Sequence, residues 1–412
     1  MTGSCGNAPG SVSDATRHDA FVGSRQPGAD TAAAACEAGA GLLESVCSEG
    51  IDAQGAQLAV SMDGCVPVCA TVGLQVGERP LRDRHLFNVW CASKPVSAIV
   101  LLRLLEGAGL SLDLPLSAAG EQFGESPMIT FGRLLNHSCG LRHPEMAEAN
   151  LMKWTEAVAA ARALRTEVVF DVFSEFSSAV IVADLIDALS DATERSAEQQ
   201  LLDDNALDTD IVYGLSEEAL NEPLKHIGFY LLGLPTMARP LYCDALPMMS
   251  RRNRRILGAF ANARGLCGFY RLVGQALRGE PPAGFPSSKF LQDALTSHRR
   301  ARAFDETLQK DCSFAIGFMV NLSDHGYGTT VGPEAVGHTG LMGSPFGWYD
   351  PQRRLAASAI LNGMASGVQD SDYWRPRIVD TINHAIDDRA APHNPTPAQQ
   401  PRGPITSRWR KR

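Results

Sequence analysis

The stretch FNVWCASKPVSAIVLL, residues 87–102, is the most informative part of the sequence. From Lys94 onward its apolar residues recur with the 3.6-residue period of an α-helix, and the pattern ends at Gly107. Pro95 is compatible with the first helical turn, where a backbone N–H has no intrahelical acceptor to lose. The sequence therefore predicts a buried helix that begins close to Lys94, with Cys91 at its start.

Cys91 and Lys94 together form a candidate nucleophilic pair. A cysteine at a helix start lies in the positive electrostatic field of the helix N-terminus. Lys94, three residues later, is expected on the same helix face, and both effects favour the thiolate over a thiol of ordinary pKa, about 8.5. Because a lone Cys-x-x-Lys pair is more often a buried cysteine beside a surface lysine, further motifs are needed to support this chemistry.

Three further stretches supply those motifs: LEGAGLSLDLPL (105–116), ITFGRLLNHSCGL (129–141) and GHTG (337–340). With FNVWCASKPVSA they resemble, in order and spacing, the serine β-lactamase-like and penicillin-binding-protein-like family. That family includes class C β-lactamases, esterases, D-aminopeptidases and transacylases. FNVWCASK is similar to its F-x-x-x-S-x-x-K segment, and GHTG is similar to its His/Lys-Thr-Gly strand. The resemblance covers about residues 35–388.

The distribution of strand and helix patterns predicts the fold class. Two short β-like runs around Asp63-Gly64 form a hairpin signal, and further β-like runs return in the last third of the chain. Strands at both chain ends around a helical middle predict one sheet assembled from distant segments and covered by helices. The resemblance implies the same α/β (α+β) class: a β-lactamase-like fold with an antiparallel sheet flanked by helices and a mostly helical second region.

The domain organisation follows from these patterns. We expect one β-lactamase-like catalytic domain between two disordered tails that are rich in Gly, Ser or Pro. The predicted segments are a tail at 1–30, a domain at 31–389 with its α/β part at 31–100 and 255–389 and its helical insertion at 101–254, and a tail at 390–412.

Composition restricts the compartment and the partners. The 412 residues are 44% hydrophobic with a net charge of −9, which argues against a nucleic-acid partner. Neither a signal-like N-terminus nor a long apolar run is present, so a cytoplasmic protein without a membrane partner is expected. The ten cysteines contain no CxxC pair, so we expect no metal and no cofactor. The alternative is that these cysteines form disulfide bonds, which would be expected if the chain were secreted. Cys65 and Cys69 are expected to fill one strand face.

Two departures from the family pattern bear on function. Cys91 stands where the family has its nucleophilic serine, while Lys94 is retained. The best counterpart of the family's Tyr-x-Asn motif is Phe176-Ser177-Ser178, so its tyrosine hydroxyl is missing. Because a thiolate needs no base to remove its proton at the moment of attack, a cysteine could function without that tyrosine.

The resemblance assigns roles to the remaining site residues. Lys94 would hold the Cys91 thiolate and move protons, and the backbone N–H groups of Cys91 and Leu341 would form the oxyanion hole. His338 would flank the acyl group as a proton carrier near neutral pH or as a hydrogen-bond donor. His137 lies in a turn that is expected to support the helical region rather than to take part in chemistry.

The expected substrate-binding residues are Trp90, Phe176, Ser178, Thr339 and Gly340. Thr339 and Gly340 would keep the edge of their strand narrow beside the substrate. For Trp90 two roles remain open: it lines the acyl pocket, or it packs in the core.

These residues favour an enzyme that forms an acyl-cysteine intermediate. We expect an acyltransferase or hydrolase for an ester, thioester or amide, with a small-molecule acyl substrate that could be bound to CoA or a carrier protein, in the biosynthesis of a small metabolite. The alternative is a catalytically inactive β-lactamase-like binding or scaffold protein.

Overall fold

The helices and strands of the computed structural model lie in residues 28–49, 53–75, 79–123, 126–140, 177–190, 196–228, 231–232, 239–240, 258–340, 344–364 and 371–390, which are the residues described here. The helices are α1 (Ala29–Glu49), α2 (Lys94–Gly107), α3 (Phe131–Leu135), α4 (Ser177–Leu189), α5 (Ala197–Asp204), α6 (Glu217–Asn221), α7 (Pro223–His226), α8 (Ala263–Leu277), α9 (Ser288–Ser297) and α10 (Ser371–Ala390). Short 3₁₀ turns are Trp90–Ser93, Leu116–Ala119, Glu121–Phe123 and Leu322–His325.

The strands are β1 (Gly55–Met62), β2 (Val68–Gly73), β3 (Phe87–Asn88), β4 (Ile211–Val212), β5 (Leu231–Leu232), β6 (Arg239–Pro240), β7 (Phe260–Ala261), β8 (Ala303–Asp305), β9 (Lys310–Phe314), β10 (Met319–Val320), β11 (Val336–Thr339), β12 (Phe346–Asp350), β13 (Leu355–Leu361) and β14 (Gly363–Met364). Eight of them form one antiparallel sheet in the order β2-β1-β13-β12-β11-β10-β9-β8. β1 pairs with β13, from Ala56 opposite Leu361 to Met62 opposite Leu355. The predicted antiparallel sheet built from both ends of the chain is therefore confirmed.

The turn between β1 and β2 is the predicted Asp63-Gly64 pair. Both residues have positive φ angles, 52° and 82°, as a type I′ hairpin turn requires. The prediction that Cys65 and Cys69 share a strand face is wrong. β2 begins only at Val68, so Cys65 lies buried in the connection, whereas Cys69 lies exposed on the strand.

The apolar run CSFAIGFMVNL (312–322) predicts one strand, but it forms a tight hairpin instead. β9 ends at Phe314, and β10 turns back so that Met319 pairs with Phe314. Gly317 in the turn has a φ of 72°, and a Cβ added there would lie 2.2 Å from the Cβ of Ala98 in α2. The hairpin tip is therefore in close contact with the helix that carries Lys94.

Helices cover both faces of the sheet. On one face, Leu43 of α1 and Ile382 of α10 belong to the same apolar cluster as Leu58 of β1. On the other face, Ile99 of α2 belongs to a second cluster with Ile360 of β13. Since α2 is buried along most of its length, with helices α4 and α5 packed against it, burial of its apolar side chains fixes the position of its N-terminal end.

Two local expectations differ from the structure. The sequence pattern of residues 256–276 predicts a helix, but the helix begins only at Ala263, because β7 pairs with β3 and β4 just before it. Asn262 caps that helix, its side chain accepting a hydrogen bond from the Gly265 N–H at 2.8 Å. β12 was not expected, although its apolar residues Phe346 and Trp348 fill one face of the sheet.

The predicted tails lie outside the described residues, apart from residues 28–30 and 390, which belong to the ends of α1 and α10. The described part of the predicted helical insertion contains the end of α2, helices α3 to α7 and the short strands β4 to β6. No helix within the described residues is long and apolar enough to cross a membrane.

Two buried histidines should make the fold sensitive to acid. Burial lowers the pKa of His325 and of His338 to about 3, so both are neutral in the folded chain, whereas in the unfolded chain they titrate near about 6.5. Below about pH 6.5 the unfolded state therefore binds more protons, and stability falls as pH falls. We expect the free energy of unfolding to decrease by about 1.4 kcal/mol per pH unit for each histidine between about pH 6 and 4.

Urea unfolding at neutral and acidic pH measures this decrease. In the His325→Gln variant the free energy of unfolding should depend less steeply on pH, by about the contribution of one histidine, because glutamine does not titrate. An equal urea midpoint at pH 7 and pH 5 in the wild-type chain would contradict the expectation.

Candidate active site

Cys91 lies in a turn whose backbone is held on both sides. The 3₁₀ turn Trp90–Ser93 precedes α2, so Cys91 lies three residues before the first α-helical residue rather than within the helix. The Lys94 N–H donates to the Cys91 carbonyl, and the Val89 N–H donates to the Ala259 carbonyl at 3.0 Å. Cys91 is 8% exposed. Cys91 therefore lies in the 3₁₀ turn that leads into α2, one turn before the predicted location at the helix start.

Trp90, directly before Cys91, adopts a left-handed backbone conformation with a φ of 50°. Such a conformation is strained for a bulky residue and is found at functional sites. The Asn88 Oδ1 atom accepts from the Trp90 N–H at 3.0 Å, and Ser93 Oγ donates to the Trp90 carbonyl at 2.6 Å. Gly258 makes room for this turn, since an added Cβ would lie 2.2 Å from Ser93 Oγ. The Trp90 side chain is buried.

Lys94 reaches the predicted second motif. Its Nζ donates to Ser178 Oγ at 3.4 Å, and Ser178 is a buried residue of the first turn of α4. Ser178 is also the residue that the sequence places at the asparagine of Tyr-x-Asn. The structure therefore brings that motif next to the lysine of the first motif. Phe176, the counterpart of the tyrosine, lies outside the described residues.

His338 lies fully buried on β11, with Nδ1 2.8 Å from the Thr339 carbonyl oxygen. Because a carbonyl can only accept, Nδ1 carries the proton and Nε2 of the neutral ring is an acceptor. Burial lowers the pKa of His338 to about 3, and the positive charge of Lys94 also acts to lower it. Both roles expected for His338 are corrected: it is neutral near pH 7, and it offers Nε2 as an acceptor rather than a donor.

The end of β11 passes close to the nucleophile turn. A Cβ added to Gly340 would lie 2.5 Å from the Val89 carbonyl oxygen, so glycine is required for this approach. Thr339 beside it is half-buried. Leu341, expected to supply an oxyanion-hole N–H, lies outside the described residues. The structure thus places the GHTG strand against the segment that leads into Cys91.

A cavity of about 50 Å³ lies beside Lys94. Apolar side chains of α3 and α4, such as Leu135 and Val182, form much of its wall. Its polar lining comes from Ser93, Lys94, Ser97, His137, Ser178, Glu198 and Tyr213. Among the described residues, no group of three or more His, Cys, Asp or Glu side chains is placed to hold a metal ion.

Glu198, Ser97 and Tyr213 form a hydrogen-bonded group in this cavity that the sequence did not indicate. Ser97 Oγ donates to Glu198 Oε1 at 3.4 Å and lies 3.2 Å from the Tyr213 hydroxyl, which donates to the Ser93 carbonyl at 3.3 Å. Burial raises the pKa of Tyr213 well above its usual range, and the charge of Glu198 adds to this. The sequence could have placed Ser97 beside Lys94, because it follows Lys94 by three residues on one helix. No spacing rule connects Glu198 or Tyr213 with that helix.

The turn that contains His137 is held by a buried ion pair. Arg300 Nη1 donates to the His137 carbonyl at 3.0 Å, and Arg300 Nη2 lies 3.1 Å from Asp305 Oδ2. The His137 ring packs edge-on against Phe314, with ring centroids 4.9 Å apart. These contacts agree with the structural role expected for His137, whose side chain or backbone also lines the cavity.

Comparison with known proteins gives a consistent result. A profile of the family described as "Beta-lactamase" matches residues 43–380. The esterase EstB of Burkholderia gladioli is 35% identical over 69 residues, 15% of this chain and 18% of the esterase, so the match spans less than a fifth of that relative.

Two solved structures have the same fold. A penicillin-binding protein homolog from Caulobacter crescentus is similar with a TM-score of 0.66 and 19% identity, covering 86% of this chain and 98% of that one. A family VIII carboxylesterase gives a TM-score of 0.66 and 19% identity, covering 85% and 97%. At these identities the likeness shows the fold alone.

Proposed function

The chain belongs to the beta-lactamase family, and on that premise we propose that it is an acyltransferase or hydrolase that forms a thioester between Cys91 and the acyl group of its substrate. One observation carries this proposal: Lys94 directly follows the turn that holds Cys91, its Nζ donates to Ser178 Oγ, and its charge acts on buried His338. The esterase and carboxylesterase among the similar proteins support a hydrolase-type activity.

In the first half-reaction the Cys91 thiolate attacks the carbonyl carbon of an ester, thioester or amide. A bond forms between Sγ and that carbon, and the carbonyl π electrons move to the oxygen. The backbone N–H of Cys91 stabilises this oxyanion, together with that of Leu341 as the family resemblance implies. When the intermediate collapses, the bond to the leaving group breaks, and the leaving group takes a proton from the Lys94 ammonium.

In the second half-reaction an acceptor attacks the acyl thioester. Neutral Lys94 takes the proton of the attacking water, amine or alcohol, the new bond forms, and the Cys91 thiolate leaves, which restores the starting state. His338 Nε2 is an acceptor and can orient the N–H or O–H of the acceptor. A thioester reacts readily with amines, so transfer to an acceptor is as suitable for this site as hydrolysis.

The replacement of the family's tyrosine is compatible with this chemistry. A thiolate next to the N-terminus of α2 and to Lys94 exists before attack, so no further base is needed to activate it. The role left for the second motif is to orient Lys94, and the contact between Ser178 Oγ and Nζ fits that role.

Substrate binding is proposed for Thr339 and Gly340, which border the nucleophile turn, and for Trp90 and Phe176 as the sequence suggests. A CoA- or carrier-bound acyl donor for a small-metabolite biosynthesis is the class that we propose, because a thioester donor is close in energy to the Cys91 thioester.

Steady-state and burst kinetics with p-nitrophenyl acetate and p-nitrophenyl butyrate test the proposal. We expect a burst of p-nitrophenol stoichiometric with enzyme, because acylation of Cys91 precedes a slower deacylation. Added n-butylamine should increase turnover and give the N-butyl amide if the enzyme transfers acyl groups, whereas free acid alone indicates hydrolysis. Release of p-nitrophenol no faster than that of the Cys91→Ala variant would support the inactive binding protein instead.

A further inference from the structure

The hydroxyl of Ser93 is directed back onto the turn that holds Cys91. Ser93 Oγ donates to the Trp90 carbonyl at 2.6 Å, and Ser93 is only 5% exposed. In the low-dielectric interior such a hydrogen bond is electrostatically stronger than the same bond in water. Ser93 therefore holds the direction in which the Trp90 carbonyl points.

The surroundings hold this hydrogen bond in place. A Cβ added to Gly258 would lie 2.2 Å from Ser93 Oγ and 3.2 Å from the Trp90 carbonyl oxygen, so the glycine leaves the space that the bond occupies. The Tyr213 hydroxyl donates to the Ser93 carbonyl at 3.3 Å, and Asn88 Oδ1 accepts from the Trp90 N–H at 3.0 Å. These contacts maintain Trp90 in its strained backbone conformation, with a φ of 50°.

The Trp90 carbonyl belongs to the same peptide group as the Cys91 N–H. This peptide bond is trans, so its C=O and N–H point in opposite directions. A hydrogen bond accepted by the carbonyl therefore fixes the direction of the N–H, and it also polarises the amide, which makes the N–H a stronger donor.

We propose that Ser93 is a positioning residue whose hydroxyl acts through the Trp90 carbonyl to aim and strengthen the Cys91 N–H as a donor to the oxyanion. The inference rests on the proposed function, in which that N–H stabilises the negative charge on the substrate's carbonyl oxygen. Ser93 itself does not touch the reacting atoms in this role.

Two reactions of Cys91 differ in their need for this donor. In acylation, Sγ bonds to a carbonyl carbon and negative charge develops on the carbonyl oxygen. In alkylation by iodoacetamide, Sγ bonds to the methylene carbon while the carbon–iodine bond breaks and iodide leaves, so no oxyanion forms. Loss of the Ser93 hydroxyl should therefore slow acylation and leave alkylation unchanged, whereas a general disturbance of the turn would change both rates.

Burst kinetics with p-nitrophenyl acetate and alkylation of Cys91 by iodoacetamide, followed by peptide mass mapping, test the inference in one buffer. Removing an oxyanion-hole donor costs ~100- to 1000-fold in rate. Since Ser93→Ala keeps the N–H and removes only its support, we expect a burst rate constant about 10-fold lower, with KM and the alkylation rate within about twofold of wild type.

Two further variants separate the hydroxyl from the site. Ser93→Thr keeps a hydroxyl on the same carbon and should restore the burst rate constant to within about threefold of wild type. Ser93 lines the cavity beside Lys94, which offers space for the added methyl group. Ser48→Ala is the matched control, because Ser48 Oγ makes the same kind of bond, to the Ser45 carbonyl at 2.9 Å, at an exposed position on α1. It should leave both rates unchanged.

Equal reductions of acylation and alkylation in Ser93→Ala would overturn the inference, because they would indicate a structural role alone. An unchanged burst rate constant in Ser93→Ala would overturn it as well. If Ser93→Ala does not fold, a Ser93→Thr variant that loses about 10-fold or more in acylation overturns it. A wild-type chain that shows no burst, or that carries no acetyl group on Cys91, would instead overturn the proposed function.

Discussion

Replacing Cys91 by alanine is expected to reduce acyl transfer and hydrolysis by at least ~1,000-fold, because the residue that forms the covalent bond is removed. Replacing it by serine is expected to cost about 100-fold or more. A serine hydroxyl has a pKa far above 7 and is not ionised by a helix N-terminus and a lysine alone, and the tyrosine of the family's second motif is absent. Release of p-nitrophenol under steady-state conditions measures both effects.

Cys69 provides the matched control. It is a cysteine exposed on β2, an edge strand of the sheet, so Cys69→Ala should keep activity within about twofold of wild type. If Cys91→Ala retained activity like that of Cys69→Ala, the nucleophile would have to be another residue. A Cys91→Ser variant as active as wild type would show that the site can activate a hydroxyl, which contradicts the thiolate mechanism.

Replacing Asp305 by asparagine is expected to reduce the free energy of unfolding by about 3–5 kcal/mol. Arg300 and Asp305 have side chains that are 2% and 0% exposed, so the variant leaves a buried guanidinium without its counter-charge. Asp305 also accepts hydrogen bonds from the backbone N–H groups of Thr307 and Leu308, each at 3.0 Å. Since Arg300 holds the His137 carbonyl, this loss should also loosen the turn beside the cavity.

The exposed pair of Arg302 and Asp311 is the control for this expectation. Its side chains are 57% and 48% exposed and its charged atoms lie 3.7 Å apart, so Asp311→Asn should cost less than about 1 kcal/mol. Urea unfolding of the two variants under one condition gives the comparison. Equal losses for Asp305→Asn and Asp311→Asn would show that the buried pair adds no special stability.

Much of the fold could be predicted from the sequence because its signals are local. The period of apolar residues after Lys94 predicted α2, and Asp63-Gly64 predicted the first hairpin. The hairpin of β9 and β10 was missed because Gly317 stands within a continuous apolar run. In such a run the spacing of apolar residues alone cannot show that the chain reverses direction. The structure shows the reason for the glycine there: Ala98 of α2 leaves no room for a side chain.

The site was predictable only where motifs connect its parts. Family-like spacing linked Cys91, Lys94 and His338, and the structure adds the contact of Lys94 with Ser178. The state of His338 depends on burial and on the neighbouring Thr339 carbonyl, which no sequence pattern reports.

The buried acidic group beside Lys94 illustrates the same limit. From the sequence alone, Glu198 is an ordinary acidic residue in the first turn of a helix, where acidic residues are common. Its place in the cavity depends on how α5 packs against α2, which is a tertiary relation.

The most direct test of a covalent mechanism is the mass of the chain quenched with acid during turnover of p-nitrophenyl acetate, followed by peptide mapping. We predict one added acetyl group per chain, located on the peptide that contains Cys91 and absent from the Cys91→Ala variant. A chain that releases p-nitrophenol faster than the Cys91→Ala variant but carries its acetyl group on another residue, or carries none at any time during turnover, would contradict the account.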